Sequence, residues 1–371
     1  MPATRELSFA RGLWRLAAAD ASSGNRVALL RDGPKTFDAM IAEIEGASET
    51  VALESYILSD DQVGQRFADA LCAAAARSVR VRLLTDWIGC RSASRAFFRR
   101  LRDAKVDVRI FSPPGFRAWL GLLPRDHRKL LAVDNRVGIT GGIGLSETWS
   151  GLGGHRGRRA RWRDTAVRIE GAAAGDMMQA FEVMWRRADG TERRGSERLL
   201  VRRARGAGIS PQTAEGAVVG IIEGEPWRLR VSRALQIQSV SAEQTIWIAS
   251  AYFVPSSAEM EALAGAARDG VDVRVLVPSK YDHPWVRRLT RRAYRRLLRN
   301  GVRIFEWQGA MMHAKTSVVD GHWVRVGSTD FNPLGIAINY ELDAVIEDVS
   351  LGRDAEEMFE ADLEMSKEIR S

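Results

Sequence analysis

The chain has 371 residues, 45% hydrophobic and 27% charged, which excludes wholesale disorder and leaves room for two or three domains. Lys and Arg number 55 against 47 Asp and Glu, a net charge of +8 carried almost wholly by arginine, and this balance invites a nucleic acid or an anionic membrane as partner. Two cysteines, Cys72 and Cys90, exclude a disulfide framework or a four-cysteine zinc site, and no apolar run approaches the roughly 18 residues that span a bilayer.

Residues 1–21 open the chain. Arg11 and Arg15 interrupt the apolar residues there, so no secretory signal follows, while Leu7, Phe9, Leu13, Trp14 and Leu16 among arginines fit a short interfacial helix. The expectation is a soluble or peripheral protein of a reducing compartment. A first α/β domain is placed at 22–188. In it Val51-Ala52-Leu53-Glu54-Ser55-Tyr56-Ile57 reads as a strand, Phe67, Leu71, Ala74 and Ala75 as a helix face, and Val79-Arg80-Val81-Arg82-Leu83-Leu84 as a second strand. Residues 189–216 are charged, Gly-bearing and poor in large apolar side chains, which predicts a connecting segment. The second domain, 217–368, repeats the first. Ile246–Phe253 is a strand, Met260, Leu263 and Ala267 mark a helix face, and Val271–Val277 is the next strand. Period-two strands alternating with period-3.6 helices predict α/β layers in both halves. Pro284 to Arg299 predicts an amphipathic helix, with Val286, Leu289, Ala293 and Leu297 on one face and Arg287, Arg288, Arg291, Arg292, Arg295 and Arg299 on the other.

The strongest signal is a repeated spacing. His127-Arg128-Lys129 is followed five residues on by Asp134, and His313-Ala314-Lys315 by Asp320. The chain has five histidines and six lysines, and two of each fall into this one frame. A lone His-x-Lys on a strand is usually surface decoration; two in matching, duplicated contexts read as a site. Residues i and i+2 of a strand share a face, so each His and Lys point the same way. Asp320-Gly321 and, more weakly, Asp134-Asn135 predict two-residue hairpin turns. Such turns set His313 opposite Ser328 and His127 opposite Gly142. Small residues there leave room for a ligand against the backbone, and an imidazole, an ammonium and close backbone suit a phosphate oxyanion. Asp134 and Asp320, at the strand ends, are better placed to cap a turn or pair with a base than to do chemistry.

At these residues the chain resembles the phospholipase D superfamily, defined by paired H-x-K-x4-D motifs. Within it the chain is similar to bacterial cardiolipin synthases that lack amino-terminal transmembrane helices. The residues carrying this narrower likeness are Glu54-Ser55-Tyr56, Trp162-Arg163-Asp164 with Val167-Arg168-Ile169-Glu170-Gly171, Ala251-Tyr252-Phe253-Val254-Pro255, and Asn332-Pro333-Leu334. It covers roughly residues 25–365. The resemblance implies two α/β/α sandwich domains with mixed sheets, related by a pseudo-two-fold axis, and one active site at their interface. The catalytic set it implies is His127, Lys129 and Asp134 with His313, Lys315 and Asp320, acting without metal or cofactor. One histidine, His127 by family precedent, forms a phosphohistidine; the other serves as acid and then as base. Asp164 and Glu341 match the carboxylates that orient the histidines. Gly142, Ser328, Asp330 and Asn332 are the candidates for phosphate binding. The family commonly carries Asn two residues after the small pair, where this chain has Gly144 and Asp330. Asn332, two residues further on, is the candidate to supply a missing amide.

The implied function is phosphatidyl transfer, making cardiolipin from phosphatidylglycerol and a second phospholipid. Two alternatives stay open: a hydrolase of lipid or nucleic-acid phosphodiesters on the same fold, and a catalytically weak membrane-binding relative. The Pro-flanked apolar stretch 111–124, just before His127, either dips into lipid or packs on the second domain. With the basic helix 284–299 it favours phospholipid substrates and an anionic membrane surface over nucleic acid, whose grooves interleave aromatic side chains with bases. The implied location is peripheral, on the cytoplasmic face of the inner membrane.

Overall fold

The computed structural model describes residues 19, 21–113, 124–151, 161–189 and 216–370. The segment 7–17, most of the apolar stretch 111–124 and most of the connecting segment 189–216 lie outside the described residues. The first half runs β1 (Ala21–Arg31), α1 (Gly33–Glu45), β2 (Thr50–Ser55), α2 (Gln62–Ala76), β3 (Arg80–Asp86), α3 (Arg95–Asp103), β4 (Asp107–Phe111), β5 (Lys129–Val133), β6 (Val137–Gly141), the short α4 (Glu147–Ser150), β7 (Thr165–Glu170) and α5 (Ala172–Ala188). The second half repeats that succession as β8 (Ala217–Gly224), α6 (Arg230–Ser241), β9 (Thr245–Ser250), α7 (Ser257–Arg268), β10 (Asp272–Pro278), α8 (Pro284–Arg299), β11 (Arg303–Trp307), β12 (Lys315–Val319), β13 (Trp323–Gly327), a π-helical turn (Leu334–Ile338), β14 (Glu341–Glu347) and α9 (Val349–Glu364), with β15 (Ser366–Ile369) added at the end.

The lateral order repeats too. It is β1-β7-β6-β5-β2-β3-β4 in one half and β8-β14-β13-β12-β9-β10-β11 in the other. β1 and β8 pair antiparallel, so the halves join into one mixed order of 15 strands. The parallel strands are β2-β3-β4 and β9-β10-β11, where crossover helices return the chain to the same end of the sheet. α2 starts where the Asp61 carboxylate accepts the Gly64 N–H at 3.0 Å, and α7 where Ser256 and Glu259 form a reciprocal capping box. α8 has the bounds its pattern predicts, with Val286, Ala293 and Leu297 buried.

Three apolar clusters hold these layers. Phe37, Phe67 and Phe97 from α1–α3 pack over β2, β3 and β5. Val231, Leu263 and Leu297 from α6–α8 do the same over β9–β11. The third is shared between the halves: Met177 and Phe181 of α5 and Phe359 of α9 join Val167 and Ile169 to Val219, Leu342 and Ala344. The halves are therefore fused by core and not by a linker alone.

Both hairpins depart from the predicted register by one residue. Val133 pairs with Val137 and Val319 with Trp323, so each loop holds three residues. Asp134 and Asn135 (φ 51° and 52°) and Asp320 and Gly321 (φ 49° and 63°) do turn the chain as a tight two-residue pair. The N–H of Arg136 closes onto the Val133 carbonyl at 2.9 Å and that of His322 onto Val319 at 3.2 Å, but both residues then stand outside the ladder as a bulge. Leu130 consequently faces Thr140 and Thr316 faces Val326, and the expected oppositions of His127 with Gly142 and His313 with Ser328 do not form. The histidines stand just ahead of β5 and β12, which begin at the lysines. Among the described residues no helix is long and apolar enough to cross a membrane.

Candidate active site

Each histidine is held by the other half of the chain, starting with its backbone. The His127 N–H donates to the Tyr340 carbonyl at 3.0 Å, and the His313 N–H to the Arg163 carbonyl at 2.7 Å. Tyr340 and Arg163 immediately precede Glu341 and Asp164, the residues that open β14 and lead into β7. The same tethers thus deliver a carboxylate to each imidazole. His127 Nδ1 lies 3.0 Å from both Glu341 oxygens, and His313 Nδ1 lies 2.8 Å from Asp164 Oδ2. A carboxylate in its ionised form only accepts, and against that form each Nδ1 carries the proton and each Nε2 keeps its lone pair for chemistry.

The lysines reach the same place from the strand starts. Lys129 Nζ donates to the His127 carbonyl at 2.5 Å; Lys315 Nζ donates to the His313 carbonyl at 2.7 Å and lies 3.0 Å from His313 Nε2. Burial first, then the two ammonium groups, hold both histidines well below their usual pKa, so both are neutral imidazoles near pH 7. Burial also pushes Asp164 up to about 6 and Glu341 well above the usual carboxylate range, with nearby lysine charge pulling each back. Lys129 is pushed down to about 8 by burial.

The phosphate-binding candidates separate once placed. Gly142 makes room for a protein group, not a ligand: a β-carbon there would collide with the Asp164 carboxylate. Its counterpart Ser328 is fully buried and donates its hydroxyl to Glu341 Oε2. Both positions therefore support the carboxylates behind the histidines. Asn332 spends both ends of its side chain on the backbone. Its Oδ1 accepts the Gly335 N–H at 2.9 Å, capping the π-helical turn, and its amide donates to the Tyr252 carbonyl. Asp330 does belong here: its carboxylate is 3.4 Å from Lys315 Nζ and accepts the Tyr252 N–H at 3.1 Å.

Asp134 and Asp320 are not brought to the site. They sit at the far ends of β5 and β12, where Asp134 accepts from the backbone N–H groups of Ser48, Glu49 and Thr50 and Asp320 from those of Glu243, Gln244 and Thr245. Each clips a hairpin turn to the neighbouring strand, in keeping with the capping role read from the sequence.

Several site residues escaped the sequence reading. Trp149 donates its indole N–H to Asp164 Oδ2 at 2.8 Å and meets the His313 ring edge-on at 5.4 Å. It also explains Gly144: a β-carbon at 144 would lie 2.9 Å from the Trp149 ring and from Ile57 Cβ. The space a family asparagine would need is filled by an indole that brings its own donor. Tyr56 packs on His127 at 4.9 Å with Lys129 Nζ 5.5 Å from its ring, and Tyr252 packs on His313 at 6.1 Å with Lys315 Nζ at 5.8 Å. Both tyrosines stand in stretches that carried the family likeness, one residue after Ser55 and two after Ser250, the serines that pair with Lys129 and Lys315. Arg128, between the first histidine and lysine, is buried against Glu54 and Glu223, whereas Ala314 holds the equivalent place.

Two mixed α/β halves that each lend a carboxylate to the other's histidine define a duplicated phospholipase D-like protein. The chain belongs to the family described as cardiolipin synthase, PLD-like domain, whose model matches residues 40–185 and 237–363. It is 32% identical to the cardiolipin synthase of Geobacillus kaustophilus over 337 residues, 90% of this chain and 65% of the relative. It is also 32% identical to that of Listeria monocytogenes over 344 residues, 91% of this chain and 69% of the relative. The chain thus spans about two-thirds of the length of the synthases it matches. Among solved structures it is similar to phosphatidylserine synthase of Haemophilus influenzae (TM-score 0.72, 14% identity, 98% of this chain and 92% of that one) and to polyphosphate kinase of Porphyromonas gingivalis (TM-score 0.61, 13% identity, 93% and 48%). At those identities the likeness shows the fold.

Proposed function

We propose that this chain is a phosphatidyltransferase that works through a phosphohistidine, making cardiolipin from phosphatidylglycerol and a second phospholipid. The observation that carries this reading is the reciprocal pairing of His127 with Glu341 and His313 with Asp164 around two buried lysines. Nε2 of His127 attacks the phosphorus, forming an N–P bond as the bond to the leaving alcohol breaks. That alcohol oxygen takes its proton from protonated His313. The neutral His313 then accepts the proton of the incoming hydroxyl, whose oxygen attacks phosphorus and frees His127. Without substrate burial, and after it the two lysines, depress both histidines; a bound phosphodiester anion offsets the lysine charge and moves His313 toward the protonated form that the first step needs. Lys129 and Lys315 hold the non-bridging oxygens and stabilise the trigonal-bipyramidal transition state. His127 is the more accessible imidazole, its side chain 16% exposed against 5% for His313, which suits the nucleophile.

The proposed setting is the surface of an anionic membrane. α8 offers exposed Arg287, Arg288, Arg292, Arg295 and Arg299, although Arg291 is tied to Glu306. Incubation of the full chain with phosphatidylglycerol vesicles and analysis of lipid products tests the reading. Cardiolipin with release of glycerol, lost in His127→Ala and His313→Ala and insensitive to chelators, is expected. Phosphatidic acid as the sole product would make the chain a hydrolase, and inhibition by EDTA restored by a divalent metal would overturn the metal-free route.

A further inference from the structure

The turn between β8 and α6 exposes large apolar side chains on a backbone that resists doing so. Trp227 (φ 67°) and Leu229 (φ 52°) both adopt the left-handed region, uncommon for bulky residues. The turn is held by the Trp227 N–H, which donates to the Ala337 carbonyl of the π-helical turn at 2.7 Å. The result is outward display: Trp227 is 76% exposed, Leu229 41%, and Leu334, on that π-helical turn, 53%. Burial alone would select the opposite, and strain held by neighbouring structure is typical of positions kept for function. The patch sits beside the site, because β8 ends at Gly224, opposite Glu341, the carboxylate on His127. Its rim is positive: the guanidiniums of Arg187, Arg228 and Arg230 all lie within 3.2–3.6 Å of the one carboxylate of Glu225.

We infer that the Glu225–Leu229 turn, with Leu334, is an interfacial anchor that seats the mouth of the site on an anionic phospholipid bilayer. Trp227 and Leu229 enter the head-group region, where an aromatic ring is favoured, and Arg228, the most exposed of the three arginines at 39%, meets the lipid phosphates, with the excess positive charge of the cluster behind it. This rests on the reading of the substrate as a phospholipid. It also accounts for the outward display of two large apolar side chains on this turn.

The test is flotation of the full chain with phosphatidylglycerol–phosphatidylcholine vesicles and with phosphatidylcholine alone, for wild type, Trp227→Gly, Leu229→Ala and Val240→Ala. Glycine suits the positive φ at 227, so that variant keeps the turn. Val240, 84% exposed on α6, controls for loss of any surface apolar group. Expected is preference for the anionic vesicles, an apparent affinity at least tenfold lower in Trp227→Gly and in Leu229→Ala, and less than a twofold change in Val240→Ala. Equal binding of Trp227→Gly and wild type overturns the anchor, as does a wild type that ignores vesicle charge. Sedimentation showing that Trp227→Gly loses a dimer in place of vesicle binding overturns it in favour of a second copy. Should the anchor hold while no phosphatidyl transfer product forms, the function proposed above fails and the anchor stands.

Discussion

Asp164 and His313 stand 149 residues apart in the chain and 2.8 Å apart in the fold, while Glu341 reaches back across 214 residues to His127. Neither half owns a complete pair. Each pair forms only when both halves are docked, so it depends on the shared core around α5 and α9.

If the carboxylates fix tautomer and ring orientation, Asp164→Asn and Glu341→Gln, which keep shape and remove charge, should each lower kcat by about 10² to 10⁴ with KM little changed. Steady-state kinetics alongside thermal melting separates this from misfolding. A variant that melts like the wild type and keeps more than a tenth of its turnover would remove the orienting role from that carboxylate.

The pH profile should have a basic limb set by Lys129. Burial brings its ammonium down to about 8, so it is charged through neutral pH and loses its charge as pH rises through that value. kcat/KM, which reports the free protein, should therefore fall above about pH 8. The limb in kcat should lie higher, because a bound anion holds the proton on Lys129. Lys129→Arg, whose charge persists across this range, should be slower but show no such limb. A limb near pH 8 that survives in Lys129→Arg belongs to another group.

On the proposed mechanism Asp330, 3.4 Å from Lys315 Nζ, would share that lysine with the incoming phosphate. Burial raises its pKa, and the carboxylate competes for the lysine more strongly as pH rises and it ionises. Asp330→Asn should raise kcat/KM on a phospholipid, most at higher pH, at some loss of thermal stability because Lys315 loses a buried counter-charge. A fall in kcat/KM at every pH would make the carboxylate a working part of the site.

Asp320→Ala should act on stability and not on chemistry. It strips the acceptor from three backbone N–H groups at the start of β9, worth about 1–3 kcal/mol. Denaturant melts should show that loss, while turnover per folded molecule stays within a few-fold of wild type; a thousandfold fall would return Asp320 to the chemistry.

What could be read from the sequence was what repeats at short range. The strand–helix–strand units at 51–86 and 245–278, the bounds of α8 and the two His-x-Lys frames all carry local periodicity or spacing, and all stand in the fold. The register did not, because the bulge at Arg136 and His322 is a property of the ladder that a two-residue turn signal does not contain. Gly144 looked like a loss because the residue that fills its space, Trp149, shows its reach only in three dimensions. Gly142 and Ser328 read as room for a ligand against the backbone, but that room is taken by Asp164 and Glu341, which come from chain segments far from either hairpin.

The two halves lie in one polypeptide, and their equivalent positions no longer match: Gly142 with Ser328, Gly144 with Asp330, Arg128 with Ala314. In an assembly of identical chains, any substitution would strike both sides of the axis at once, and neither histidine could specialise without its twin. Tandem fusion removes that constraint. A mutation in one half no longer forces the same change in the other, so on the proposed mechanism the nucleophile and the acid–base histidine are open to separate selection.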